Sequence, residues 1–143
     1  MLVSLVRFIF GFVVAVLVAG VVQVLFVAGG GLVSGLSMPR LQSLALLSLL
    51  AATQSAVFSA PFAILAAVVA ALQPIRSLAY FAAAGVGIAL AGFLAQYVGE
   101  TGPGTIFNLY ALSAYLASGL AGGLVYGLLA RPRAPSPVEK TNE

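Results

Sequence analysis

The placement of the nine charged side chains constrains this chain more than any other feature: they divide it into four uncharged stretches, each longer than 20 residues. Arg7 is followed by no charge until Arg40, Arg40 by none until Arg76, Arg76 by none until Glu100, and Glu100 by none until Arg131. A hydrocarbon core of about 30 Å needs roughly 20 helical residues. The expected spans are therefore Phe8 to Ala28, Ala51 to Leu72, Ser77 to Val98 and Ile106 to Ala130. A closed barrel is the other way to satisfy backbone groups in lipid, but it requires alternating strands of about 10 residues, and that alternation is absent. The fold class that follows is an all-α bundle of four transmembrane helices.

Two stretches need separate argument. The first apolar run reaches the small residues Ala19 and Gly20, as a signal peptide would, but continues to Ala28 interrupted only by Gln23. That exceeds an h-region of about 7 to 15 residues, so a retained helix is expected. The second uncharged stretch, Leu41 to Ile75, would extend roughly 50 Å at about 1.5 Å per residue. Cutting it at Pro61 leaves a second piece too short to cross, which favours one long helix kinked at Pro61. Its first turns, 41–50, then project beyond the bilayer or lie among headgroups. The other reading makes residues 36–50 a separate interfacial helix.

With four spans, Arg7, Arg76, Arg131, Arg133 and Lys140 share one side, while Arg40 and Glu100 fall on the other. The positive side is cytoplasmic, so both termini are expected inside, in a bacterial inner (cytoplasmic) membrane. The five-to-one bias argues against dual topology. Residues 1–130 form the membrane domain, and the proline-rich, charged 131–143 reads as a disordered cytoplasmic tail.

Composition restricts the chemistry. Only 6% of residues are charged, and there is no His and no Cys, which removes most metal sites and His- or Cys-based nucleophilic catalysis. No charged residue lies inside a predicted span, where proton relays and ion paths need one. No catalytic residue, cofactor or metal is expected, and no nucleic-acid partner. The loop Gly99-Glu100-Thr101-Gly102-Pro103-Gly104-Thr105 imitates a phosphate loop but lacks the lysine and follows no strand; it reads as a turn.

Small and uncharged polar residues remain. Gly119, Gly123 and Gly127 follow one another at four-residue steps, with Ser118 and Gly122 on the adjoining ridge; Gly11, Ala15 and Ala19 form a weaker counterpart in the first helix. The third helix offers Gly85 with Ala89 and Gly87 with Ala91. Such spacing permits close backbone approach in lipid, either within the monomer or on a docking face. Gln23, Gln54 and Gln96 are the intramembrane amides, accompanied by Thr53, Ser55, Ser59, Asn108 and Ser113. They read as hydrogen-bond glue between helices, the other reading being a polar vestibule open to the outside. Tyr115 lies deep enough that its hydroxyl should need a partner.

At Ser59-Ala60-Pro61-Phe62-Ala63-Ile64-Leu65, Arg76-Ser77-Leu78-Ala79-Tyr80-Phe81-Ala82-Ala83-Ala84-Gly85 and Ala117-Ser118-Gly119-Leu120-Ala121-Gly122-Gly123-Leu124-Val125-Tyr126, the chain resembles small uncharacterised four-helix inner-membrane proteins of alphaproteobacteria. The likeness covers about the second half of the chain. Members often carry an acidic residue just before the Arg-Ser-Leu turn, where this chain has Ala71, Leu72 and Gln73. The resemblance implies a four-helix membrane protein and assigns no catalytic residue.

The sequence thus points to a non-catalytic accessory or scaffolding subunit, surrounded by membrane lipids and docking through small-residue helix faces. It would dock onto itself, as a homo-oligomer, or onto a larger membrane complex. The second expectation is an oligomeric passive pore or small carrier with a polar outer vestibule.

Overall fold

The computed structural model describes residues 2–29, 37–73, 77–101 and 107–130, with side chains from Val6 onward. The expectations for Arg76, Arg131, Arg133, Lys140, the 102–105 turn and the 131–143 tail lie outside the described residues. Four helices account for nearly all of the rest: α1 (Leu2–Ala28), α2 (Met38–Leu72), α3 (Leu78–Val98) and α4 (Leu109–Ala130). All four are long and apolar enough to cross a membrane, so the chain is a multi-pass membrane protein built as a four-helix bundle.

Local chemistry sets several of the helix ends. Ser37 precedes α2 in an extended conformation, and Pro39 sits in the first turn, where its missing N–H would be unpaired in any case. Asn108 accepts a hydrogen bond at Oδ1 from the Ala111 amide at 2.7 Å. It is therefore the N-cap of α4, and the expectation that it lies inside the fourth span is corrected. The second helix is the single long one expected: residues 38–50 continue into the span without a break, so there is no separate interfacial helix. Pro61 lies inside this helix, where it deprives the Val57 carbonyl of its usual donor.

The bundle is arranged by how closely each pair can approach. α4 packs against both α3 and α1, α1 also packs against α2, and α2 with α3 is the loosest of the four pairs. The α1–α4 pair is clamped at both ends. Arg7 Nε donates to the Leu129 carbonyl at 2.9 Å, satisfying one of the acceptors left open in the last turn of α4. At the far end Tyr110 Oη donates to the Phe26 carbonyl. α2 and α3 are joined near their linked ends by Tyr80 Oη, which donates to the Ala66 carbonyl at 2.9 Å.

Little of the chain is shielded by protein. The buried apolar set is Ala15, Val24, Ala52, Phe81, Phe93 and Ala114. That is what a bundle whose outer surface faces hydrocarbon requires, since lipid chains are as apolar as leucine.

Candidate functional site: a cavity between the four helices

The α4 glycine ridge faces inward. A Cβ on Gly85 would collide with the Gly119 carbonyl and lie 2.9 Å from the Gly123 Cα. One on Gly119 would meet Ala89 Cβ at 2.5 Å, and one on Gly123 would meet the Phe81 carbonyl and, at 3.1 Å, the Ala82 Cα. Gly127 lies under Phe81 and Leu78. Gly122, on the adjoining ridge, faces α1: its added Cβ would come 3.2 Å from the Ala15 carbonyl and 3.5 Å from Ala19 Cβ. Gly11 lies against the Tyr126 ring. These small residues are therefore spent on the bundle's own α3–α4 and α1–α4 seams. Gly87 is different: nothing lies within 4 Å of a Cβ placed there. The expected packing role of Gly87 with Ala91 is corrected, since Gly87 occupies the opposite side of α3 from the Gly85 contact.

One close approach escaped the sequence reading. Gly20, a small residue within the first apolar run, lets α1 cross α2. An added Cβ would lie 2.5 Å from the Ser48 carbonyl and 2.8 Å from the Ala52 amide nitrogen. Ala52 is correspondingly 2% exposed.

While these seams close tightly, the loose α2–α3 pair leaves a cavity of about 920 Å³ to which all four helices contribute. α2 contributes Ala51, Gln54, Ser55, Phe58, Ser59 and Phe62 among others, Val57 and Pro61 widening the lined arc beyond one narrow face. The lining has a polarity gradient. At one end stand Gln23 of α1, Gln54 and Ser55 of α2, Gln96 of α3, and Tyr115 with Ser118 of α4. Toward the other stand Phe12, Phe62, Phe81 and Tyr126, one from each helix. Neighbouring helices run in opposite directions, so the polar residues come late in α1 and α3, early in α4, and midway along the long α2, ahead of Phe62. Among the described residues, none in the lining is Asp, Glu, Lys or Arg.

The polar end is partly self-satisfied. Tyr115 Oη donates to Gln96 Oε1 at 2.6 Å, giving the deep tyrosine the partner its position calls for. Gln23 Nε2 donates to Ser118 Oγ at 3.4 Å, and Ser118 Oγ donates to the Tyr115 carbonyl at 2.8 Å. Ser118 is 2% exposed, so this chain of bonds ties α1 to α4 in the protein interior. Gln23 and Gln96 thus bond across the bundle to α4 rather than to one another. Gln54 stands in the lining without a side-chain bond among the described residues. Ser59 Oγ is buried with no hydrogen-bond partner. Thr53 and Ser113 bond back to carbonyls of their own helices, Leu49 and Tyr110, and take no part in the site.

At the aromatic end the Tyr126 ring meets Phe81 edge to face at 5.4 Å and Phe8 at 6.0 Å. On the α2–α3 side Phe58 and Phe62 are 5.3 Å apart, and a Cβ on Gly92 would touch the Phe58 ring at 3.4 Å. No family profile, curated protein or solved structure matches the chain.

Proposed function

We propose that this chain is a non-catalytic protein of the bacterial inner membrane that holds an uncharged, mainly apolar molecule in the cavity between its helices, and so acts as a small carrier or binding protein. The observation that carries this reading is the polarity gradient, to which every helix contributes within a single chain. A cavity of several hundred Å³, mostly apolar with a few convergent polar groups, is the usual form of a small-molecule site. The lack of charge in the lining favours a neutral occupant, because an ion taken from water into such surroundings would meet no compensating group.

An accessory subunit docking through small-residue faces is less well supported, because Gly11, Ala15, Ala19, Gly119, Gly122, Gly123 and Gly127 pack inside the bundle. The carrier reading needs no oligomer to form its site.

The test is extraction of the purified full-length protein with organic solvent, followed by mass spectrometry. The expected result is an uncharged molecule at close to one per chain, depleted in the cavity-filling variants Ala63→Phe and Ala84→Phe. Equal recovery of the same lipids from wild type and both folded variants would overturn the proposal.

A further inference from the structure

The cavity's hydrogen-bonding groups describe the head of its occupant more closely than its size does. Resting on the binding function proposed above, we propose that the occupant is a neutral lipid bearing a carbonyl group, held at the carbonyl by Gln54 and Ser59 of α2, with its apolar part directed toward Phe12, Phe81 and Tyr126.

The argument begins with which groups are already used. Ser118 both accepts and donates, and the Gln96 carbonyl oxygen is occupied by Tyr115. What remains has more donors than acceptors: one side-chain N–H of Gln23, both of Gln54 and Gln96, and the Ser59 hydroxyl, which has no partner among the described residues, against the amide oxygens of Gln23 and Gln54. A serine in a membrane helix ordinarily returns its proton to the carbonyl one turn back. Ser43 does so, donating to the Pro39 carbonyl at 3.0 Å, as does Thr53 toward Leu49. Ser59 does not, although it lines the cavity. A buried donor with no acceptor is costly, and a carbonyl oxygen in the cavity removes that cost. Carboxylates and phosphates also accept, but they bring a charge for which the lining holds no cation.

Position agrees with chemistry. Gln54 and Ser59 both line the cavity from α2, as does Phe58. α2 is also the partner that approaches α3 least closely, so a molecule dissolved in the bilayer reaches these groups from the side, past Phe58 and Gly92, with its chain still in hydrocarbon. Two sources share this chemistry, the ester carbonyl of an uncharged glyceride and the ring carbonyl of a lipid quinone.

The experiment uses the full chain in dodecyl maltoside, a detergent without carbonyl groups. It is photolabelled with a diazirine-tagged diacylglycerol, an azide-tagged prenyl quinone, or a diazirine-tagged alkane without a head, and the adducts are mapped by peptide. One carbonyl probe is expected to label the α2 and α3 cavity faces at least ~10-fold more than the alkane, as one or two hydrogen bonds to the head imply. Unlabelled diacylglycerol or quinone competes, and which of them does identifies the source. Ser59→Ala combined with Gln54→Leu lowers labelling to the alkane level, while Ser59→Thr, which keeps the hydroxyl, retains it. Thermal unfolding of Ser59→Ala is expected to be unchanged or raised, because an unpaired hydroxyl is removed, and this separates loss of binding from loss of fold. Equal cavity labelling by all three probes would overturn the carbonyl assignment and leave the binding function standing. Labelling confined to lipid-facing positions such as Leu65 and Leu94 would overturn both.

Discussion

At the scale of single residues, two glycines on one helix separate close packing from mere presence of a small side chain. Gly85 and Gly87 look equivalent in the sequence, each with an alanine four residues on. Gly85 faces α4 backbone that cannot give way, and Gly87 faces open space. Gly85→Ala should therefore lower thermal stability in detergent, by about 1–3 kcal/mol as overpacking commonly does. Gly87→Ala should be neutral or gain up to about 0.5–1 kcal/mol from the better helix former. A Gly85→Ala protein as stable as wild type would mean that α3 and α4 are not in backbone contact there. Spacing alone could not tell these two apart, because a four-residue step repeats on every side of a helix. The signal that distinguishes them is the partner ridge, Gly119 and Gly123, and a partner is not visible from one helix. Ser59 was similarly hidden: nothing in the sequence separates it from Thr53, which bonds its own backbone.

At the scale of elements, α2 depends on α1. Its contact with α3 is slight, and α1 crosses it closely where Gly20 meets Ser48 and Ala52. Gly20→Leu should force this crossing apart. Hydrogen exchange is then expected to rise along α2 while α3 and α4 stay protected, because their glycine seam is untouched. Uniform loss of protection across all four helices would show that α2 is not a separable unit. The helices themselves were legible in the sequence, since uncharged length and the demand that backbone groups be satisfied in lipid leave few alternatives. The unusual length of α2 was legible too, as an uncharged stretch too long for one span; its start at Met38 lies about one turn before the expected first turns at 41–50, with Pro39 in the first turn.

At the scale of the whole molecule, the arginines predict an orientation. Because five of the six basic residues fall on one expected side, a cysteine introduced at Thr101 in this Cys-free chain should react with impermeant reagents from the periplasm, and one at Ser136 should not. Labelling of position 136 alone from outside would invert the molecule, and equal labelling of both would mean two orientations. The cavity was legible only in part. The three intramembrane glutamines marked its polar end, but the space itself arises because three helix seams close on glycine and alanine and the fourth does not, a property of all four helices together. The length of α2 bears on the surrounding bilayer as well. At about 1.5 Å per residue its 35 residues run well past a typical hydrocarbon thickness, and Leu46, Leu47, Leu49 and Leu50 of its early turns are all more than half exposed. α3, at 21 residues, is close to the ordinary length. One flank of the protein therefore asks for a thicker membrane than the other. The bilayer can answer by tilting the bundle or by gathering longer acyl chains along α2, the same flank from which an occupant would enter. Acyl-chain length thus becomes a physical variable acting on one side of this molecule, and through the stance of α2 on the width of its cavity.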